Sequence, residues 1–318
     1  MKTIHIIEDT LPVAWEKSVI ECWRNGDSFP TQYDKDGDPN SKDVTMMIHV
    51  LHPMKEPRIH RAFPGGLDDL EKYRNEVMFG VHDHWIDPEA GKWEYTYHER
   101  LFDYDTNAFA GKAGVGRINQ IDLCIKMLKE CGHTRRAQAV TWQAWKDLGT
   151  HDATCLQRLW FRVQKQTCPI CHGTGEIPHG LCSACEGTGE RDALNMNVHF
   201  RSNDAYKAAF MNMYAFIELQ AYVADSIGVP VGEYIHIADS YHIYGSYFDE
   251  FKGFLNVVNK REPEDRVYES KWVYDFFLQG CDALLVEEDM PQDMKEKVLE
   301  RKEDINVAKT EAAKTEAI

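Results

Sequence analysis

The chain has 318 residues, 43% of them hydrophobic, which is apolar material enough for one large core or two smaller ones. Its net charge of −16 excludes general binding to duplex nucleic acid, which needs a basic face, but leaves room for a small anion on a local arginine cluster. No apolar run is long enough to span a bilayer, MKTIHIIEDT lacks a signal-peptide pattern, and nine cysteines, four of them clustered, point to a reducing, cytoplasmic setting.

Residues 10–25 have helical apolar spacing and stop at Gly26. A polar, turn-rich loop, SFPTQYDKDGDPNSKDV, follows; it lacks the spacing and closing Glu of a calcium loop. VTMMIHVLHP reads as a strand ended by Pro53. LDDLEKYRNEVMFG (67–80) reads as an amphipathic helix, with Glu76 among apolar neighbours as a general acid/base candidate or a solvated face residue. WEYTYHERLFDY (93–104) is core packing or an aromatic wall for a nucleotide. Gly114-Val115-Gly116 is too short for a dinucleotide fingerprint, and residues 116–131 read as a helix.

The segment 134–157 carries the chemistry. Arg135 and Arg136 offer two planar donor forks suited to a dianionic phosphate. Cys155 stands at the start of the β-rich run LQRLWFRVQ, and a thiolate facing such charge is a stabilised nucleophile. Taken singly, the same residues also fit a surface pair and a buried cysteine. An insertion, CPICHGTGEIPHGLCSACEGTGE, then places Cys168/Cys171 and Cys182/Cys185 in two C-x-x-C knuckles, each followed by Gly-x-Gly. Two such knuckles aim four sulfurs at one tetrahedral centre, which points to a closed structural zinc site. The knuckles resemble one half of the cysteine-rich domain of DnaJ-type co-chaperones, a likeness confined to these 23 residues. It implies a metal fold, not a chaperone.

LNMNVHFRSND (194–204) alternates as a half-buried strand and leads into AYKAAFMNMYAFIELQAYVADSIG (205–228), a long apolar helix closed by Gly228, with Asn212 inside it. A buried amide must find partners, and Asn can also read a base edge. The stretch 231–248 reads as a strand carrying His242 and Tyr244 on one side.

Together, RRA at 135–137, Cys155 with Gln157, RSND at 201–204, Asn212 and YHIY at 241–244 resemble the thymidylate synthase family in order and spacing, over about residues 67–250. The N-terminal and YTYHERL segments look more like the archaeal and viral branches. The resemblance implies an α+β fold: a large twisted, mixed sheet backed by helices, in a homodimer, with a small zinc-knuckle insertion. It implies a catalytic domain over 1–285, the knuckle at 166–191 within it, and a charged helical or disordered tail at 286–318. It makes Cys155 the nucleophile that adds to C6 of dUMP. Arg135 and Arg136 reach the phosphate across the dimer interface; Arg201 and Ser202 bind it from the same subunit. Gln157 joins the substrate-binding set, and Asn212 recognises the uracil edge where cytosine-acting relatives carry Asp. His242 and Tyr244 bind the deoxyribose hydroxyl, and Asp204 lies near base and folate. Glu76 and Tyr97 stand as acid/base and aromatic wall.

The implied one-carbon donor is 5,10-methylenetetrahydrofolate or a related pterin. The implied product is dTMP, with 5-hydroxymethyl-dUMP or its deoxycytidylate counterpart as the alternative. An inactive nucleotide- or partner-binding zinc protein is the non-enzyme alternative. Thr154-Cys155-Leu156 departs from the family's Pro-Cys-His, and Phe200 replaces the Gln before the Arg-Ser pair. Lys35 is the one substitute for a missing phosphate-loop arginine, and Ala317-Ile318 could imitate the family's closing C-terminus.

Overall fold

In a computed structural model that describes residues 1–106 and 116–316, a seven-stranded sheet carries the fold. Gly114, Val115 and the Ala317-Ile318 terminus lie outside the described residues. The chain opens with β1 (Thr3–Glu8), α1 (Leu11–Asn25), β2 (Asp27–Phe29) and β3 (Ser41–Val50). Pro12 sits in the first turn of α1, where its missing N–H costs nothing. Next come α2 (Leu67–Phe79), α3 (Tyr97–Phe102), α4 (Gln120–Glu130), β4 (Gln138–Val140), β5 (Leu156–Thr167) and β6 (Glu190–Asp204). The chain continues through α5 (Ala209–Ile227), β7 (Val231–Ile243), α6 (Phe248–Lys260), α7 (Tyr274–Leu285) and α8 (Gln292–Glu316). No described helix is long and apolar enough to cross a membrane.

The strand order is β1-β3-β7-β6-β5-β4, with β2 on β3. β1/β3 and β6/β7 are parallel; the other pairs are antiparallel. The expected mixed sheet is therefore present. Period-two alternation explains its buried face, to which β3 contributes Val44, Met46, Ile48 and Val50 and, across β7, β6 contributes Met196, Val198 and Phe200. Helix α5 crosses from β6 to β7 and buries Phe210, Met213, Phe216, Ile217, Leu219 and Val223, as an element apolar over most of its face must. Gly228, left-handed at φ 74°, closes it.

Two helix starts differ from expectation. α4 begins at Gln120, not 116, because Asn119 caps it by accepting the Asp122 N–H at 3.0 Å while Arg117–Ile118 pair with Tyr104–Asp105. α5 begins at Ala209 because Asp204 Oδ1 accepts the N–H groups of Tyr206 and Lys207 at 3.0 and 2.9 Å and holds a turn first.

The tail is helical and tied down. Arg301 on α8 makes a bidentate pair, 2.8 and 3.0 Å, with the fully buried Glu71 of α2. Beside it Glu218 of α5 accepts from Arg58 at 2.7 Å and faces Arg74 at 3.6 Å. Burial alone would raise the Glu218 carboxyl, but the guanidiniums of Arg58, Arg74 and Arg301 outweigh it and hold it down at about 2. A carboxylate depressed in the folded state stabilises fully above its ordinary value of 4.5 and loses that contribution as pH falls toward 2. Glu218→Gln is therefore expected to lower urea stability at neutral pH by about 3 kcal/mol, through uncompensated buried guanidiniums. It should also flatten the loss of stability that the native chain shows below pH 4.5.

Candidate active site and candidate metal centre

One edge of the sheet gathers the ends of four strands. β6 and β7 finish there, while β3 and β5 begin there. A register shift between His199 and Phe200 bends β6 where it leaves β5, next to Cys155. Along this edge lies a cavity of about 540 Å³, lined from the strands by Cys155, Ser202, Asp204 and His242. Tyr73 and Glu76 of α2, Asn212 of α5, and Trp93, Tyr95 and Tyr97 complete its wall. A second cavity of about 660 Å³ shares Asp152, Cys155, Ser202, His242 and Tyr244 and adds Arg201, Thr31, Tyr33, Asp34 and Asp43. Cys155 thus stands at the junction of one divided cleft.

The loop that carries Cys155 is held by Arg201. Its Nε donates to Thr154 O at 3.0 Å, a terminal nitrogen to Ala153 O at 2.5 Å, and its backbone N–H to Cys155 O at 2.9 Å. Burial pushes the Cys155 thiol up, Arg201 pulls it down, and Asp152 pushes it up again; the net direction within one chain is upward. The expected thiolate stabilisation by clustered arginines is therefore not supplied inside a single chain. Arg135 and Arg136 are exposed, precede the edge strand β4, and line neither cavity. Gln157 also stays out of the cleft, because its amide donates to Thr154 O and Leu156 O at 3.1 and 3.2 Å. Lys35 is exposed and does not reach either cavity. Leu156 is fully buried in the core.

The remaining site candidates converge. Asn212 is 4% exposed, and the Tyr73 hydroxyl donates to its Oδ1, which leaves the amide nitrogen for a ligand. Asp43 accepts from Ser240 Oγ at 2.7 Å, and Ser240 lies 3.2 Å from His242 Nδ1. His242 Nε2 is buried without a hydrogen bond among the described residues and belongs to a side chain lining both cavities. Tyr244 packs edge-on to His242 at 4.6 Å. Asp204 spends Oδ1 on the turn before α5 and Oδ2 on the Tyr247 hydroxyl at 2.5 Å, so its carboxylate shapes the floor. Glu76 Oε2 pairs with His82 Nδ1 at 2.9 Å. The aromatic segment divides between the two places: Trp93, Tyr95 and Tyr97 line the cavity, while Arg100 and Leu101 are fully buried.

Sequence reasoning missed Tyr73, His82 and Asp152. Tyr73 had a signal, since it lies one helical turn before Glu76 on the same face. The others are brought in by loop geometry.

Far from the cleft, the sulfurs of Cys168, Cys171, Cys182 and Cys185 all lie within 4.8 Å of one another. Cys168–Cys182 and Cys171–Cys185 are 3.8 and 3.6 Å apart. A tetrahedron of ~2.3 Å metal–sulfur bonds has edges of roughly 3.8 Å, so the four thiols fit such an ion. The two knuckles mirror each other. A Cβ on Gly175 would lie 2.2 Å from Gly187 O, and one on Gly189 would lie 2.3 Å from Gly173 O. Both positions also have positive φ, which explains the repeated glycines.

The thymidylate synthase family model matches residues 67–288. The chain belongs to the thymidylate synthase family. Similar archaeal proteins bear the name "Putative thymidylate synthase". The one from Methanocaldococcus jannaschii is 26% identical over 236 residues, 73% of this chain and 86% of the relative. The one from Methanococcoides burtonii is 24% identical over 249 residues, 78% of this chain and 93% of the relative. Among solved structures, the thermostable thymidylate synthase A from Bacillus subtilis matches with a TM-score of 0.52 and 19% identity, over 76% of this chain and 83% of that one, and shows the shared fold. Membership of the thymidylate synthase family makes the chain a transferase acting at C5 of a pyrimidine nucleotide.

Proposed function

We propose that the protein is a thymidylate synthase that converts dUMP to dTMP through a covalent bond between Cys155 and C6 of the ring. The observation that carries this reading is the convergence of Cys155, Glu76, Asn212 and His242 on one cleft from four separate elements. Uracil C5 is a poor nucleophile. Thiolate addition at C6 turns the ring into an enolate and makes C5 reactive, and later breakage of the C6–S bond restores the thiolate and the ring. Methylenetetrahydrofolate would supply the one-carbon unit and the hydride, and the flat faces of Trp93, Tyr95 and Tyr97 suit its pterin ring. Glu76 would accept the C5 proton, directly or through water, while Tyr97 walls the reacting centre. The free amide nitrogen of Asn212 suits the O4 carbonyl of uracil, and His242 with Tyr244 suits the sugar hydroxyl.

Charge supports a homodimer. A dianionic phosphate beside Arg201 and Ser202 would also meet Asp34, Asp43 and Asp152 in the same cavity. One guanidinium against three carboxyl groups is a poor anion site, and the exposed Arg135 and Arg136 of a second copy would correct it. The same charges would lower the Cys155 thiol in the assembled enzyme. We further propose zinc as the ion of the four cysteines, with a structural role, since four thiolates leave no open position. Catalysis would rest on residues 1–285 with the knuckle at 166–191 as an insertion and 286–318 as a tail. The thiol-rich composition suits a reducing, cytoplasmic location.

Cys155→Ser is expected to abolish tritium release from C5-labelled dUMP while leaving nucleotide binding intact. Mass spectrometry of the native product should show dTMP; a mass higher by one oxygen would mark the hydroxymethyl nucleotide instead. Arg136→Ala should raise the nucleotide KM. Mixing it with Cys155→Ser should restore part of the activity by forming one intact site per heterodimer; no restoration would argue against arginines shared between subunits. Elemental analysis should find one zinc per chain. Joint replacement of Cys168 and Cys182 by Ser should release it and lower stability without abolishing turnover.

A further inference from the structure

Behind the wall of the cleft stands a histidine that the reaction above does not use. α2 ends at Gly80, left-handed at φ 67°, and the chain turns back so that His82 meets Glu76 one turn below. Its ring stacks on Trp85 at 3.9 Å with an interplanar angle of 11°, and Trp93 closes its edge at 5.8 Å. Nδ1 lies 2.9 Å from Glu76 Oε2; on the other side Nε2 faces Glu287 Oε2 at 3.7 Å. Glu287 follows α7, and the same segment is pinned to the Trp85 stack by Asp289, which accepts from Trp85 Nε1 at 3.2 Å. The other charges nearby are engaged elsewhere: Asp83 pairs with His98 at 2.6 Å, and His84 with Asp289 at 3.4 Å. One imidazole is thus clamped between a carboxylate lining the cleft and a carboxylate outside it, with 10% of its side chain exposed.

We propose that His82, held between Glu76 and Glu287, is the positioning residue that keeps Glu76 aimed into the cleft. The proposal rests on the reading of Glu76 as the base at C5. Its physics is simple. An Nδ1–H donated at 2.9 Å holds one Glu76 oxygen and fixes which oxygen stays free. Burial alone would lower the His82 value, but the two glutamates outweigh it and move it upward from the ordinary 6.5. Glu287 supports this arrangement, because without it the buried His82 ring would answer to Glu76 alone.

The test reads titration and turnover separately. In histidine-labelled native protein, NMR should show His82 titrating above 6.5. That midpoint should fall in Glu287→Gln and in Glu76→Gln. A midpoint at or below 6.5, or one unmoved by both substitutions, overturns the clamp whether or not any nucleotide is turned over. In steady-state assays with dUMP and methylenetetrahydrofolate, His82→Gln should keep KM within about twofold and lower kcat by roughly tenfold or more. Glu287→Gln, the milder variant, should move the alkaline limb of the rate profile to lower pH. Unchanged profiles in active variants overturn the positioning role. A native chain without turnover refutes the parent reading and the positioning role with it, while the titration still decides the ion triad.

Discussion

The grip of Arg201 on the loop before β5 is the interaction on which the site depends. One residue uses its side chain on two carbonyls, those of Ala153 and Thr154, and its backbone N–H on a third, that of Cys155. The contact spans the place where β6 leaves its register with β5, so strand pairing and loop position are set together. Ser202, Asn203 and Asp204 follow on the same strand, and the parallel partner β7 delivers His242 directly opposite Asp204. Cys155, Ser202, Asp204 and His242 are therefore placed by one continuous hydrogen-bonded seam rather than by independent loops.

The seam leaves an electrostatic problem that the single chain does not solve. Within the cleft Cys155 is pushed toward the neutral thiol by burial and Asp152, and Arg201 only partly opposes this. The second cavity adds Asp34 and Asp43. An acidic chain of net charge −16 has little long-range attraction for a nucleotide, so binding must come from local, well-placed donors. The exposed guanidiniums at 135 and 136 are the natural supply, provided another copy carries them to the cleft.

Much of this was legible in the sequence because it rests on short-range pattern. Alternation located β3 and β6, an apolar run closed by glycine located α5, and the doubled C-x-x-C-x-Gly-x-Gly located the sulfur cluster. What was not legible depends on where loops return. The start of α5 was misplaced because Asp204 captures two backbone amides first. Gln157 was placed in the substrate-binding set by the family resemblance, yet its amide folds back on the loop carbonyls. His82 carries no sequence signal at all; only the reversal at Gly80 brings it onto Glu76. The symmetric glycines of the knuckle, in contrast, were readable in advance and are explained by backbone carbonyls that leave no space for a Cβ.

The central claim is that the sulfur at position 155 bonds to C6 of a uracil nucleotide. The most direct measurement is trapping with 5-fluoro-dUMP and methylenetetrahydrofolate, followed by mass spectrometry of peptides from the denatured protein. Fluorine cannot leave C5 as a proton does, so the account predicts a stable adduct carrying both nucleotide and folate on the peptide that contains Cys155. An unmodified Cys155 peptide from protein that binds the nucleotide, or an adduct on any other cysteine, would contradict it.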